Sequence, residues 1–102
     1  MSKFEIAPKS TEVMLTWDDA VEYCKNLVVD DKSGWRLPTK DELDQMYKNR
    51  DSMPAGEEFD SIWHWSSLED SATNAWNQRF SSGGQYSGNK MTSNCVRAVR
   101  NI

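Results

Sequence analysis

The stretch that most constrains this chain is Trp35-Arg36-Leu37-Pro38-Thr39, running straight into Lys40-Asp41-Glu42-Leu43. Pro38 pushes Leu37 out of the α region, so the backbone must arrive extended. Thr39 then stands where an N-cap stands, and Glu42, three residues on, completes a capping box. Pro38 and Leu43 occupy the two positions of a hydrophobic staple, which fixes the angle at which the helix leaves. A buried extended segment therefore becomes a helix at one defined point. The sequence before this hinge reads as helix, and the sequence after it as tryptophan-rich β structure.

Taken in order, Phe4-Glu5-Ile6 alternates like a short edge strand closed by Pro8. Thr16 with Asp19 three residues later predicts a second capping box. Beyond it Trp17, Ala20, Val21, Cys24, Leu27 and Val28 recur at helical spacing, predicting a helix over 17–28. Asp30-Asp31-Lys32-Ser33-Gly34 is a polar break. The hinge opens a second helix over 40–49, with Leu43, Met46 and Tyr47 on its buried side, and 51–56 is a loop by composition. Alternating aromatics predict a strand over 62–67, and Asn74–Phe80 predicts another with Trp76 and Phe80 on one face. Ser81-Ser82-Gly83-Gly84 is a hairpin turn into Gln85-Tyr86. Ser87–Asn94 reads as a polar loop, and Cys95–Arg100 as a strand inside the sheet. The expected architecture is a single α+β domain spanning 1–102, with two helices on a small twisted antiparallel sheet and long loops.

Composition narrows the function classes. Five tryptophans among 102 residues supply a compact core despite a mean hydropathy of -0.79. A formal charge of -4 without any Lys/Arg stripe argues against nucleic acid as partner. No apolar stretch approaches bilayer length, so no membrane insertion is expected. Met1-Ser2-Lys3-Phe4 leads into domain-like sequence with no apolar signal segment. The expectation is a protein that stays where it is made, leaves with a larger assembly, or has lost a leader.

Several features combine into a recognisable order. Trp17 opens a helix carrying Tyr23-Cys24; Trp35 to Thr39 precede the next helix; Trp65-Ser66-Ser67 follows. Then come Ala75-Trp76 with Phe80 and Gly83, and finally Cys95-Val96-Arg97-Ala98-Val99-Arg100. Over about residues 13–100 this order resembles the DUF1566 family, which includes the C-terminal domain of the Legionella collagen-like adhesin. The resemblance implies a C-type-lectin-like fold, found in bacterial surface proteins and phages. It also implies a disulfide between Cys24 and Cys95. Composition alone supplies only two cysteines, and two buried free thiols are an equally ordinary reading. A bridge closing a loop of that length would contribute about 4 kcal/mol in the chain-entropy model.

Calcium-dependent sugar binding is not expected. Trp76-Asn77-Gln78 resembles the strand motif of calcium-dependent lectins, but Gln78 supplies no carboxylate and the Pro-containing loop is absent, while calcium takes six to eight oxygens. The acidic groups Glu57-Glu58-Asp60 and Glu69-Asp70 read as solvated loops. His64 is the single histidine, which excludes a multi-histidine metal site and leaves no Ser-His or Cys-His pair that spacing supports. It reads as structural. The Arg-Leu-Pro-Thr run also occurs in the formylglycine-generating enzymes, but those use two nearby cysteines in a longer domain. No metal or cofactor is expected.

Trp17, Trp35, Trp65 and Trp76 read as core, with Trp63 divided between core and surface. Arg97 and Arg100 read as structural ion-pair partners. The Gln85–Asn94 stretch combines Tyr86 with small polar residues, the composition of an adaptable recognition surface. The candidate ligand-binding residues are Trp63, Gln85, Tyr86, Asn89, Lys90 and Thr92. The expected function is a non-enzymatic recognition module binding a protein or glycan, on a phage particle or bacterial surface. The alternative is a small intracellular phage or bacterial effector that blocks a host protein. An enzyme related to the formylglycine-generating group ranks last.

Overall fold

The computed structural model describes residues 4–102. Its elements in chain order are β1 (Phe4–Ile6), β2 (Val13–Leu15), α1 (Trp17–Asn26), α2 (Lys40–Lys48), β3 (Trp63–Glu69), β4 (Asn74–Arg79), β5 (Gln85–Asn89), β6 (Asn94–Val96) and β7 (Val99–Asn101). The strands form a five-stranded sheet in the order β2-β6-β3-β4-β5 and a two-stranded sheet of β1 with β7. All pairings are antiparallel except β3 with β6, which run parallel through His64 and Cys95. The α+β architecture with two helices and small sheets is as the sequence predicts.

The hinge behaves as its residues dictate. The Thr39 hydroxyl accepts from the Glu42 N–H at 3.1 Å, and Glu42 Oε1 accepts from the Thr39 N–H at 2.9 Å. Pro38 and Leu43 are both buried. Just upstream, Arg36 and Val99 exchange backbone bonds of 2.8 Å, while Ser67 N–H donates to Pro38 O at 2.8 Å. The hinge segment thus threads between β7 and β3 and ties the two sheets together. The expected Thr16 capping box does not form: Thr16 makes no side-chain cap bond, and only its carbonyl serves the helix, accepting from Ala20 N–H at 2.8 Å.

Strand alternation divides the core between the two faces of the large sheet. Trp65, Ala75 and Val96 pack with Trp17, Ala20 and Cys24 of α1 and with Trp35 and Leu37. Leu43 and Met46 of α2 pack with Phe80 and Val99. Each deeply buried indole also satisfies its N–H: Trp17 on Ser66 O, Trp35 on Lys32 O and Trp65 on Leu15 O. A Trp is tolerated in a core on that condition.

Several expectations need correction. Cys24 and Cys95 are both free and buried. The reason is pleat: Val96 joins the α1-side core beside Cys24, so Cys95, one residue earlier, points through the other face. The sheet stands between the two thiols, and the disulfide is absent. Trp76 is only half-buried, because alternation turns it away from Ala75 and Asn77; the Lys40 ammonium covers its ring at 3.9 Å from the centroid. Leu27 and Val28 lie beyond the end of α1, where Val28 is exposed. The polar loop is shorter than expected, since Gln85–Asn89 forms the edge strand β5. The closing strand is split, with buried Arg97 and Ala98 as the break between β6 and β7. The short β2 had no signal distinct from the cap that follows it.

Candidate functional site

The aromatic alternation of β3 and its register with β4 and β5 build one open cleft. Trp65 pairs with Asn77, and Asn77 with Tyr86, so these three side chains form a cross-strand row on the α1 side of the sheet. Trp63, two residues before Trp65, continues the row past the end of the core. There the Trp63 and Tyr86 rings meet edge to face, 5.0 Å apart at 70°. The Arg79 guanidinium lies over the Trp63 ring at 5.7 Å. Tyr86 stays 51% exposed.

The cleft between these rings and the 89–94 turn has a volume of about 260 Å³. Trp63 and Tyr86 form its apolar wall, Asn77 and Asn94 reach it from the sheet, and Asn89 and Thr92 close it from the turn. Asn77 and Asn94 are both buried. The Asn77 Oδ1 atom is fully covered yet has no hydrogen-bond partner among the described residues. A buried acceptor without a partner costs free energy, so such atoms mark places where something else supplies the donor. Two glycines make the geometry possible. A Cβ on Gly88 would lie 2.5 Å from Asn77 Nδ2, and one on Gly84 would lie 2.5 Å from the Tyr86 ring.

Of the six residues expected to bind, four line this cleft: Trp63, Tyr86, Asn89 and Thr92. Asn89 spends its Oδ1 on the Met91 N–H at 2.8 Å and so also builds the turn. Gln85 faces away; its Nε2 donates to Lys40 O at 3.1 Å. Lys90, expected as a rim charge, is buried. Its ammonium donates to Glu69 Oε2 at 2.6 Å and to Ala72 O at 3.2 Å, and sits 4.7 Å from the Trp17 ring centroid. Lys90 therefore anchors the turn. Asn77, Ser87, Gly88 and Asn94 also line the cleft and were not among the expected residues. Asn77 carried a signal, an amide among the aromatics of a predicted strand, but its meaning depends on register.

A second polar cluster lies through the sheet, on the α2 side. The β3–β6 register sets His64 beside Cys95, and Glu12 comes in just before β2. One ligand-capable atom from each of Glu12, His64 and Cys95 falls within 4.8 Å of the others. This is a Cys–His neighbourhood that sequence spacing did not reveal. The cation of Arg97 donates from Nη1 to Glu12 Oε2 at 2.9 Å and from Nε to Ala7 O at 2.7 Å. Lys9 bridges Glu12 and Asp60, at 2.9 Å to each. Burial pushes the Glu12 carboxyl up, but the hydrogen bonds it accepts from Lys9 and Arg97 help to outweigh that and hold the acid well below its usual range. Burial, then the Glu12 charge, pushes the Cys95 thiol far above its ordinary range. It is held protonated, the opposite of an activated nucleophile. Cys24 is likewise raised by burial, to about 12. The pairing expected of the arginines is present at Arg97–Glu12 and at Arg100–Glu5, 3.0 Å. The acidic loops are also less free than expected, since Glu57, Asp60, Glu69 and Asp70 each accept a hydrogen bond.

The family model of the Lcl C-terminal domain matches residues 3–100. The chain belongs to the Lcl C-terminal domain family. That family takes its name from the C-terminal domain of a Legionella collagen-like protein, an adhesin-associated domain, which agrees with a binding module. No curated protein matches the chain. In this Lcl C-terminal domain no described helix is long and apolar enough to cross a membrane.

Proposed function

We propose that this domain is a non-enzymatic recognition module that binds a protein or glycan through the Trp63–Tyr86 cleft. The observation that carries the reading is the partly exposed Trp63–Tyr86 aromatic wall, set over a cleft that buried Asn77 and Asn94 also line. An aromatic wall offers a flat apolar group its largest contact, and the amides of Asn77 and Asn94 and the Thr92 hydroxyl that line the cleft offer hydrogen bonds to a ligand's hydroxyl or N–H groups. At about 260 Å³ the cleft takes one ring or one side chain, not an extended chain. No charged side chain lines it, so the fitting ligand is neutral there, as a sugar ring is. Membership of an adhesin-associated family supports the same class. Attachment to a phage particle or bacterial surface, and kinship with C-type-lectin-like folds without the cysteine bridge, are parts of this proposal that rest on the resemblance alone.

The test is an NMR titration of the domain with a panel of neutral mono- and disaccharides and of short uncharged peptides. The expected result is a binder whose shifts concentrate at the indole of Trp63 and the side-chain amides of Asn77 and Asn94. Asn77→Leu should abolish that response while leaving the fold intact. A ligand whose shifts fall elsewhere, or a panel with no binder, overturns the cleft as the site.

A further inference from the structure

The geometry points to the Glu12–His64–Cys95 cluster as a binding site for a thiophilic divalent transition ion of the zinc class. Three observations meet there. His64 Nδ1 lies 3.0 Å from Ile62 O, and a carbonyl can only accept, so the ring proton sits on Nδ1. In the neutral ring that leaves a lone pair on Nε2, which faces inward, fully buried and without a hydrogen-bond partner among the described residues. A backbone carbonyl holding the far nitrogen is the usual support of a metal-ligating histidine. The ring is not free to turn away: Phe80 stacks on it at 4.0 Å and 22°, and Phe59 meets its edge at 6.2 Å.

The second observation is what the lone pair faces. Glu12 Oε2 is 3.9 Å from Nε2, an acceptor opposite an acceptor unless a proton on Nε2 or a metal ion lies between them. In a tetrahedral zinc site, neighbouring N, O and S ligand atoms stand about 3.3–3.6 Å apart, as their bond lengths require. The 4.8 Å spread of the cluster therefore closes with a contraction of roughly 1 Å, within reach of side-chain rotation. The third is donor type. A thiolate, an imidazole and one carboxylate suit zinc and its neighbours in the series, and are the wrong set for calcium or magnesium.

Charge is compatible with such an ion. Lys9 and Arg97 face three carboxylates, those of Glu12, Asp60 and Glu57, so the surroundings carry one surplus negative charge. A divalent ion that displaces the Cys95 thiol proton into solvent adds one positive charge to it. Lys9 is partly exposed and already shared with Asp60, so Glu12 Oε1 has room to reorganise. Because the cluster is closed, loading proceeds through refolding or slow opening, and the ion serves the fold and not the recognition cleft.

The probe is cobalt(II), added to the reduced domain both in the native state and during refolding. The expected result is one equivalent bound, with a thiolate-to-cobalt charge-transfer band and the visible bands of tetrahedral coordination. Cys24→Ser, across the sheet, should keep both; Cys95→Ser should lose the charge-transfer band, and His64→Gln should weaken it, with folding followed by circular dichroism. Zinc should displace the cobalt and raise the melting temperature of wild type but not of Cys95→Ser. The site is overturned by absence of the band in both preparations, or by a band that survives Cys95→Ser. It is equally overturned if 15N NMR finds a proton on His64 Nε2 in zinc-treated protein, which makes the residue a plain ion-pair partner of Glu12.

Discussion

On the α1 side of the large sheet, Trp65, Ala75 and Val96 meet Trp17, Ala20 and Cys24 with apolar surface almost throughout. On the other side, one step away in register, His64, Gln78 and Cys95 bury polar atoms beside the apolar cluster of α2. There Gln78 Nε2 donates to Asp44 Oδ1 at 3.0 Å and to Gly83 O at 3.1 Å, while Arg97 and Glu12 form an ion pair whose side chains are 1% and 4% exposed. The first face draws stability from area and can be left unfinished at its rim, which is where the cleft opens. The second depends on partners, and any member removed leaves another stranded. Adjacent residues of the same strands thus serve a tolerant surface and an intolerant one.

The largest expected effect tests the apolar face. Trp65→Ala removes a fully buried indole and strands Leu15 O, and should destabilise the domain by about 3–5 kcal/mol in urea denaturation. The polar face should respond nearly as strongly but in a different pattern. Arg97→Ala should cost about 3 kcal/mol, because Glu12 and the carbonyls of Ala7 and Glu57 lose their donor. The double change Glu12→Leu with Arg97→Met should recover part of that loss, since neither charge is then stranded. No second substitution should rescue Trp65→Ala. If the double variant is worse than the single, the ion pair itself is a net source of stability.

The two faces were unequally legible in the sequence. The hinge could be read outright, because a capping box and an X-Pro step are local and each residue states its role within four positions. The helices and the strand carrying Trp63 and Trp65 followed from periodicity. What stayed hidden was relative placement. Cys24 lies on an apolar stripe and Cys95 opens an apolar run, yet which side of the sheet each faces depends on β6 lying beside β3, a pairing across roughly thirty residues of chain. The same pairing sets His64 beside Cys95, whereas Asn77 comes beneath Tyr86 through the β4–β5 hairpin, whose exact register hangs on the length of its turn. β5 escaped because an edge strand with little to bury carries no apolar alternation. Lys90 misled for a related reason: a lone charge in a polar stretch reads as exposed until the Trp17 ring and Glu69 are known to lie next to it.

A smaller effect separates local from non-local order at the hinge. Thr39→Ala should cost about 1 kcal/mol by removing the cap bond to the Glu42 N–H. Glu42 also carries a pH signature. The Arg36 hydrogen bond, against burial and with help from Thr39, holds its carboxyl below the usual range. A depressed acid contributes stability that is complete above its unfolded-state value and is lost as pH falls through the folded one. Glu42→Gln should therefore lower stability near neutral pH and flatten the acid limb of the stability–pH curve. An unchanged acid limb would assign that slope to the other paired carboxylates.

The smallest expected change in stability belongs to the rim. Tyr86→Ala should shift folding by less than about 0.5 kcal/mol, because the ring is half exposed and touches mainly Trp63 and Gly84. The same substitution removes one wall of the cleft and should weaken a cleft ligand by more than about 1 kcal/mol, the scale of an interface aromatic. Lys90→Ala sharpens the contrast. It removes the buried Lys90 stem from against Trp17 and its bond to Ala72 O, and loosens the turn that carries Asn89 and Thr92, so it should lower stability more than Tyr86→Ala does and weaken binding only through the disordered turn. Measuring both variants by denaturation and by titration with the same ligand separates the roles. A Tyr86→Ala domain that loses stability while keeping its affinity would place that ring with the core of the α1 face, and would move recognition away from the rim.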